Sequence, residues 1–255
     1  MIPIGDFPLF VLIVSLGMFA QSATGFGGAL LMMPLMLWAG YGIPEGQAAI
    51  LVSTFPQTVW GFYQFRESVT YRELVLPATL RLVALPVGVA TLWMIDQFPK
   101  GMIQQAIGLL VIIFIIAFAV VRPRPHVKLH RGWTWLAFLS SGFFQGCTGT
   151  GGPMMVFWVQ AHDWSTKRTR AFLFMMYFVT TIPAWGLLYY CFPSRVLGPS
   201  IAAILSVPLL LLSTALGLRV GTWLGRSRLK RATIALLMIV GIASVASPWI
   251  AAWSK

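Results

Sequence analysis

The chain has 255 residues, of which 58% are hydrophobic and only 9% are charged. Soluble domains carry about a quarter charged residues, so this composition excludes a water-soluble globular protein. Repeated apolar runs of about 18 residues or more indicate an integral membrane protein instead. In such a protein the net charge of +12 reports topology and attraction to anionic headgroups, and we expect no nucleic-acid partner.

Eight apolar segments follow one another with short connections, which leave no room for a soluble domain. They span residues 7–38, 48–65, 74–95, 102–121, 133–160, 171–192, 200–224 and 232–253. The N-terminus lacks the basic flank and cleavage site of a signal peptide, so we expect the first segment to be retained.

The first segment contains a stretch that is poor for a helix, FAQSATGFGG at residues 19–28. The fifth contains FFQGCTGTGG, which is identical at six of ten positions and lies 124 residues later. A straight helix of residues 7–38 would be about 48 Å long, against a hydrocarbon core of about 30 Å. A break at 21–28 leaves arms of roughly 14 and 10 residues, which predicts a re-entrant hairpin with its tip inside the membrane. In the alternative, each arm crosses fully and the chain has ten spans.

The duplicated motif predicts two repeats. Trp60-Gly61 also matches Trp185-Gly186 at an offset of 125 residues. We predict an all-α integral membrane protein of two inverted repeats, each a re-entrant helical hairpin plus three transmembrane helices. The first repeat is 1–121, a cytoplasmic linker is 122–131, and the second repeat is 132–255.

The distribution of lysine and arginine favours the hairpins. If all eight segments crossed once, eight basic residues would lie on one side and nine on the other, with Arg81 inside a segment. If the first and fifth segments each return, fourteen lie on one side and three on the other. The positive-inside rule favours the biased arrangement. We therefore expect a multi-pass protein of the inner (plasma) membrane, with the basic side cytoplasmic and both termini outside.

Broken backbone at membrane depth is tolerated only when it is buried in protein or lines a wet cavity. Both short arms are expected to begin at the glycines, so that their N-terminal N–H groups suit an anion at the facing tips. The predicted substrate-binding residues are Gln21, Ser22, Thr24, Gly25, Gly27, Gly28, Arg81, Gln145, Cys147, Thr148, Gly149, Gly151 and Gly152. The alternative is that these glycines only allow close helix packing, and Cys147 fits a packing role as well.

The positions of the charged residues also argue against a cation as the substrate. The six carboxylates lie at or near segment ends, whereas cation carriers usually need one within a span. Arg81 is the exception, because it lies inside the third segment; it either faces the cavity or extends to the cytoplasmic interface. Gln57, Thr180 and Thr181 are polar enough to line a path.

Cys147 and Cys191 form no CxxC or Cys/His cluster, and no catalytic dyad or nucleotide loop is recognisable. We expect no metal, no cofactor and no enzymatic activity.

The segments TGFGGALLMMPLMLWAGYGIPEGQAAILVSTF and GCTGTGGPMMVFWVQAHDWSTKRTRAFLFMMYF resemble the TauE/SafE sulfite-exporter family over essentially the whole chain. The matching motif residues are Gly25, Gly27, Gly28, Pro34, Gly149, Gly151, Gly152 and Pro153. One departure is that the chain contains no asparagine, so glutamine, serine or threonine takes the place of any helix asparagine.

The resemblance implies a transporter of sulfite, sulfonates or related anions. We expect a secondary transporter that exports a small sulfur-containing anion, sulfite or an organosulfonate such as sulfoacetate, by alternating access. The alternatives are a passive anion channel and a membrane subunit of a larger complex. The expected partners are the small anion and the lipid bilayer, and the sequence does not indicate an oligomeric state.

Overall fold

The computed structural model describes residues 6–24, 27–120, 130–224 and 226–253. These residues form eleven α-helices, one short 3-10 turn at Arg66–Ser68 and no strand, which confirms an all-α protein. The helices are α1 Phe7–Thr24, α2 Gly28–Trp38, α3 Ile43–Phe65, α4 Tyr71–Ile95, α5 Lys100–Val120, α6 Arg131–Thr148, α7 Gly152–Gln160, α8 Thr166–Cys191, α9 Pro193–Leu205, α10 Val207–Leu224 and α11 Arg226–Trp253. Residues 122–129 of the predicted linker, 122–131, lie outside the described residues.

Among the described residues, three helices are long and apolar enough to cross a membrane. They are α4, α5 and residues Lys167–Cys191 of α8. The pair α9 and α10 makes a fourth candidate span, bent by 63°. A membrane protein follows from these helices, and α1, α2 and part of α11 add shorter apolar elements.

The bent pair corrects one predicted segment. Residues 200–224 were expected to form a single apolar segment, but helix begins at Pro193 and is interrupted at Ser206. Pro208 lies in the first turn of α10, where its missing N–H needs no partner. A continuous helix would have set the proline ring against the carbonyl group of residue 204. The break therefore falls one residue before α10 begins.

Both glycine motifs interrupt helices at the expected places. α1 ends at Thr24 and α2 begins at Gly28, while α6 ends at Thr148 and α7 begins at Gly152. The arms predicted to start at the glycines thus do so. The preceding arms are longer than expected, at 18 residues each, because the helices continue into the motifs.

Each broken segment folds back on itself. The ring of Tyr41, just after α2, lies 6.0 Å from the ring of Phe10 in α1. In the second hairpin, Nε1 of Trp158 donates a hydrogen bond of 3.1 Å to Oγ1 of Thr134. α2 and α7 have 11 and 9 residues, or about 16 and 14 Å, which is half of a 30 Å core. The short second arms favour re-entrant hairpins over the ten-span alternative, and the hairpins stay a prediction.

Two groups of ion pairs mark opposite ends of α4. Glu73, in its first turn, pairs with Arg168 at the start of α8 at 2.9 Å. Asp96, at its C-terminal end, pairs with Arg195 at the start of α9. Connections 66–70 and 161–165 therefore share one end of the molecule. If all eight segments had crossed, Glu73 and Arg168 would have been on opposite sides. The orientation in the cell and the inverted relation of the repeats remain predictions.

Glycines bring long helices into close contact. α6 packs along α4 and α1 packs along α10. A Cβ atom added at Gly142 or Gly146 of α6 would strike the backbone carbonyl oxygen of Arg81 or Leu85, and one at Gly217 of α10 would strike the Ser22 hydroxyl. Small residues commonly allow such approach between membrane helices. These contacts fix the position of α4 along its axis relative to α6 of the second hairpin.

We predict that Gly142→Ala lowers the thermal stability of the purified protein. The new methyl group would overlap the Arg81 carbonyl group, and overpacking of this kind costs about 1–3 kcal/mol. Gly186→Ala in α8 is the matched control, because its Cβ atom would meet nothing within 4 Å. Equal melting temperatures for the two variants would contradict the close α4–α6 contact.

Candidate functional site

The two helix breaks line one cavity. The centres of water molecules can occupy about 60 Å³ of this cavity. One water needs about 10–15 Å³ by that measure, so the cavity has room for several waters or a small oxyanion. The lining residues are Gln21, Gly27, Gly28, Ala29, Leu30, Ile50, Leu51, Thr54, Thr58, Arg81, Gln145, Gly149, Gly152, Pro153, Val156, Tyr177, Thr180 and Thr181. Both hairpins, α3, α4 and α8 thus contribute to the same site.

Two helix N-termini begin at this cavity. Gly27 and Gly149 have φ angles of 90° and 72°, a left-handed conformation that glycine adopts without strain. α2 and α7 then start at Gly28 and Gly152, and no side chain caps either one. The first N–H groups of a helix have no acceptor within the helix and carry partial positive charge. Both starts therefore present backbone donors that suit an anion.

The guanidinium group of Arg81 lies at the cavity and is buried, with 2% of the residue exposed. Its Nη2 donates to Oε1 of Gln145 at 3.0 Å, and Nη1 lies against the sulfur of Met155. The ring of Tyr177 is 5.4 Å away, within range of a cation–π contact. The buried Nε has no hydrogen-bond acceptor. Arg81 thus faces the cavity, and the alternative in which it extends to the interface does not describe this structure.

The ion pairs of the described residues leave Arg81 without a carboxylate. Glu73 pairs with Arg168, and both Glu45 and Asp96 pair with Arg195. No Asp, Glu, Lys or His is among the described residues that line the cavity. A buried cation without a counterion is costly, so the positive charge of Arg81 favours an anion in the cavity.

Neutral donors surround the guanidinium group. Because a guanidinium group only donates, Gln145 must turn its oxygen toward Arg81, which leaves its amide hydrogens for other acceptors. The Tyr177 hydroxyl group lies beside the start of α7, 2.7 Å from where a Cβ atom on Gly152 would be. Gln21 adds a further amide from the first hairpin. The arrangement can bind an anion through several hydrogen bonds without a second charge.

Seven of the predicted site residues line the cavity, namely Gln21, Gly27, Gly28, Arg81, Gln145, Gly149 and Gly152. Others have local partners. The hydroxyl group of Ser22 donates to the carbonyl of Phe19 at 3.0 Å, and that of Thr148 lies 2.6 Å from the Thr150 hydroxyl.

Two further predicted residues also serve packing. Cys147 is buried, and its backbone nitrogen lies 2.9 Å from where a Cβ atom on Gly88 would be. The Gly151 carbonyl oxygen accepts a hydrogen bond of 2.7 Å from Ser141. The predicted role of Gly25, and that of the Thr24 side chain, lie outside the described residues.

Sequence reasoning missed Tyr177. The signal was its spacing, because Tyr177 precedes Thr180 and Thr181 by three and four residues in α8, which puts all three on one helix face. Both threonines line the cavity with it. Thr54 and Thr58 of α3 show the same four-residue spacing, and they also line the cavity.

Comparison with known families gives one result. A family model described as sulfite exporter TauE/SafE matches residues 9–244. No curated protein and no solved structure matches the chain.

We predict that Arg81→Met raises the melting temperature of the purified protein in a buffer whose only anion is large, such as gluconate. Methionine keeps much of the side-chain volume and removes an unbalanced buried charge. Even a buried ion pair can often be replaced by apolar groups with no loss of stability or with a gain of about 1–4 kcal/mol. One kcal/mol corresponds to roughly 2–4 °C in a chain of this size. Arg66→Met, at an exposed arginine, should leave the melting temperature nearly unchanged. A clear fall for Arg81→Met would show that the charge is balanced in the anion-free protein.

Proposed function

Since the chain belongs to the sulfite exporter TauE/SafE family, we propose that it is a secondary transporter that exports a small sulfur-containing anion, sulfite or an organosulfonate such as sulfoacetate. The observation that carries this proposal is the buried guanidinium group of Arg81, which has no carboxylate partner and lies at a cavity bounded by two uncapped helix starts.

A sulfite or sulfonate group suits this set of donors. Each of its three oxygens accepts hydrogen bonds, and the available donors are the unpaired Nε of Arg81, the first N–H groups of α2 and the hydroxyl group of Tyr177. Charge-assisted hydrogen bonds are about twice as strong as neutral ones. The absence of a carboxylate among the described lining residues removes a source of repulsion. The same feature argues against a cation as the substrate.

We propose that transport occurs by alternating access. The cavity is lined by equivalent residues of the two motifs, Gln21 and Gly28 from the first and Gln145 and Gly152 from the second. Rocking of one repeat against the other would expose such a shared site to each side in turn. In this proposal the basic end lies in the cytoplasm of a cell bounded by the inner membrane, and both termini lie outside.

We predict that binding of small anions to the purified protein depends on Arg81. The panel is sulfite, sulfoacetate, taurine, sulfate and thiosulfate, measured by calorimetry. Loss of a hydrogen bond to a charged group costs about 1.5–3 kcal/mol, so Arg81→Gln should weaken the preferred anion about 10-fold to 100-fold. Gly152→Ala should also weaken it, because the methyl group fills space beside the Tyr177 hydroxyl group.

The control for the binding experiment is Gly186→Ala, where the added methyl group meets nothing. It should bind like the wild type. If Arg81→Gln binds every anion as tightly as the wild type does, the site assignment is wrong. If the wild type binds none of the panel, the proposed substrate class is wrong.

Counterflow separates the transporter from the passive anion channel. In proteoliposomes preloaded with unlabelled substrate, we predict that uptake of labelled substrate is accelerated and transiently exceeds equilibrium. An open pore would give no such acceleration. The third possibility, a membrane subunit of a larger complex, would show activity only after addition of a partner, so counterflow by the purified chain alone would contradict it.

A further inference from the structure

Four charged residues occupy the same position in four different helices. Glu45, Glu73, Arg168 and Arg195 are each the third residue of their helix, in α3, α4, α8 and α9 respectively. They form two ion-paired groups. The Arg168 pair joins Glu73 and Arg168 at 2.9 Å. The Arg195 cluster joins Arg195 to Glu45, with 2.6 Å between Nε and Oε1, and also to Asp96.

The two groups correspond to each other through the sequence repeat. Arg168 follows Glu45 by 123 residues and Arg195 follows Glu73 by 122, close to the offset of 124 between the glycine motifs. Exchange of the two halves therefore converts the contact between α3 and α9 into the contact between α8 and α4. Both helix contacts are present. The charges are reversed, since the acidic position of one half corresponds to the basic position of the other.

The groups lie on either side of the cavity. Along α4, Arg81 is eight residues from Glu73 and 15 residues before Asp96, or about 12 and 22 Å by helical rise. Each group also joins a residue of the first half to a residue of the second. An inter-half contact thus stands at each end of the molecule, with the substrate site between them.

Electrostatics explains why unlike charges are needed there. Each group sets the N-termini of two helices side by side, and two partly positive helix ends repel each other. A glutamate at one end stabilises that helix and supplies a partner for the arginine on the other. The ion pair therefore offsets this repulsion, and its loss favours separation of the two helix ends.

We propose that the Arg168 pair and the Arg195 cluster are reciprocal locks, each of which closes the path between the cavity and one side of the membrane. This inference rests on the proposed alternating access, and it assigns to each end the contact that must break when that end opens. Asp96 gives the Arg195 cluster a second carboxylate. The side chains of Glu45 and Asp96 in this cluster are 20% and 17% exposed, whereas that of Glu73 is 35% exposed. The Arg195 cluster is therefore the firmer of the two locks.

The test measures access to the cavity from each side. A single reporter cysteine replaces Thr181, which lines the cavity, with Thr58→Cys as a second reporter, in a chain whose own cysteines are changed by Cys147→Ala and Cys191→Ser. A membrane-impermeant thiol reagent is applied to one or the other face of sealed vesicles, and the ratio of the two labelling rates is measured. The ratio is the labelling rate from the face at Glu73 divided by the labelling rate from the face at Arg195. We expect Glu73→Gln to raise this ratio about threefold to tenfold, and Arg195→Gln to lower it.

Matched variants separate a lock from a merely stabilising contact. The charge exchange Glu73→Arg with Arg168→Glu should restore the wild-type ratio, and Glu67→Gln, at an exposed glutamate of the same end, should not change it. Shifts in the same direction for Glu73→Gln and Arg195→Gln would overturn the proposal. Unchanged ratios with only a lower melting temperature would overturn it too. Opposite shifts, together with the absence of anion binding to the wild type, would uphold the locks and refute the exporter function instead.

Discussion

A helix that breaks inside a membrane exposes backbone groups that lipid cannot satisfy. In this structure two broken helices expose such groups at the same place. The starts of α2 and α7 open into a cavity that also holds the guanidinium group of Arg81. Placing an arginine at such depth costs about 2.5–3.5 kcal/mol on insertion scales. The first N–H groups of α2 and α7 add positive potential at the cavity, so they do not offset the positive charge of Arg81. The three features together support the proposal that the cavity accommodates negative charge.

The hairpins could be predicted from the sequence because their signal is strong and occurs twice. Three glycines within four residues at Gly25–Gly28, and a proline at the second position of α7, fix where each short arm begins. The sequence did not single out Pro208 as the place of a bend, because Pro208 resembles Pro56, Pro77, Pro86 and Pro183, which all lie inside continuous helices. Only tertiary packing decides whether a membrane helix tolerates its proline or ends there.

The residue types of the site could be predicted, but the directions of the side chains could not. In water, hydrophobic periodicity shows which face of a helix is buried. In lipid both faces are apolar, and this information is lost. Hence Ser22, Cys147 and Thr148 were assigned together with Gln21 and Gln145, although a difference of one to three residues turns a side chain from the cavity to a neighbouring helix. Tyr177 was missed for the same reason. The competing interpretation of the glycines as packing residues also holds in part, since Gly28 lies against Gln21 and the carbonyl of Gly17 while it lines the cavity.

The reversed charges at the third helix positions have a consequence for how the two halves depend on each other. Two copies of the first half would set Glu45 against Glu73, and two copies of the second would set Arg168 against Arg195, so each self-pairing brings like charges together. Only the combination of unlike halves satisfies both contacts. We therefore expect each half to pair more favourably with the other half than with a copy of itself.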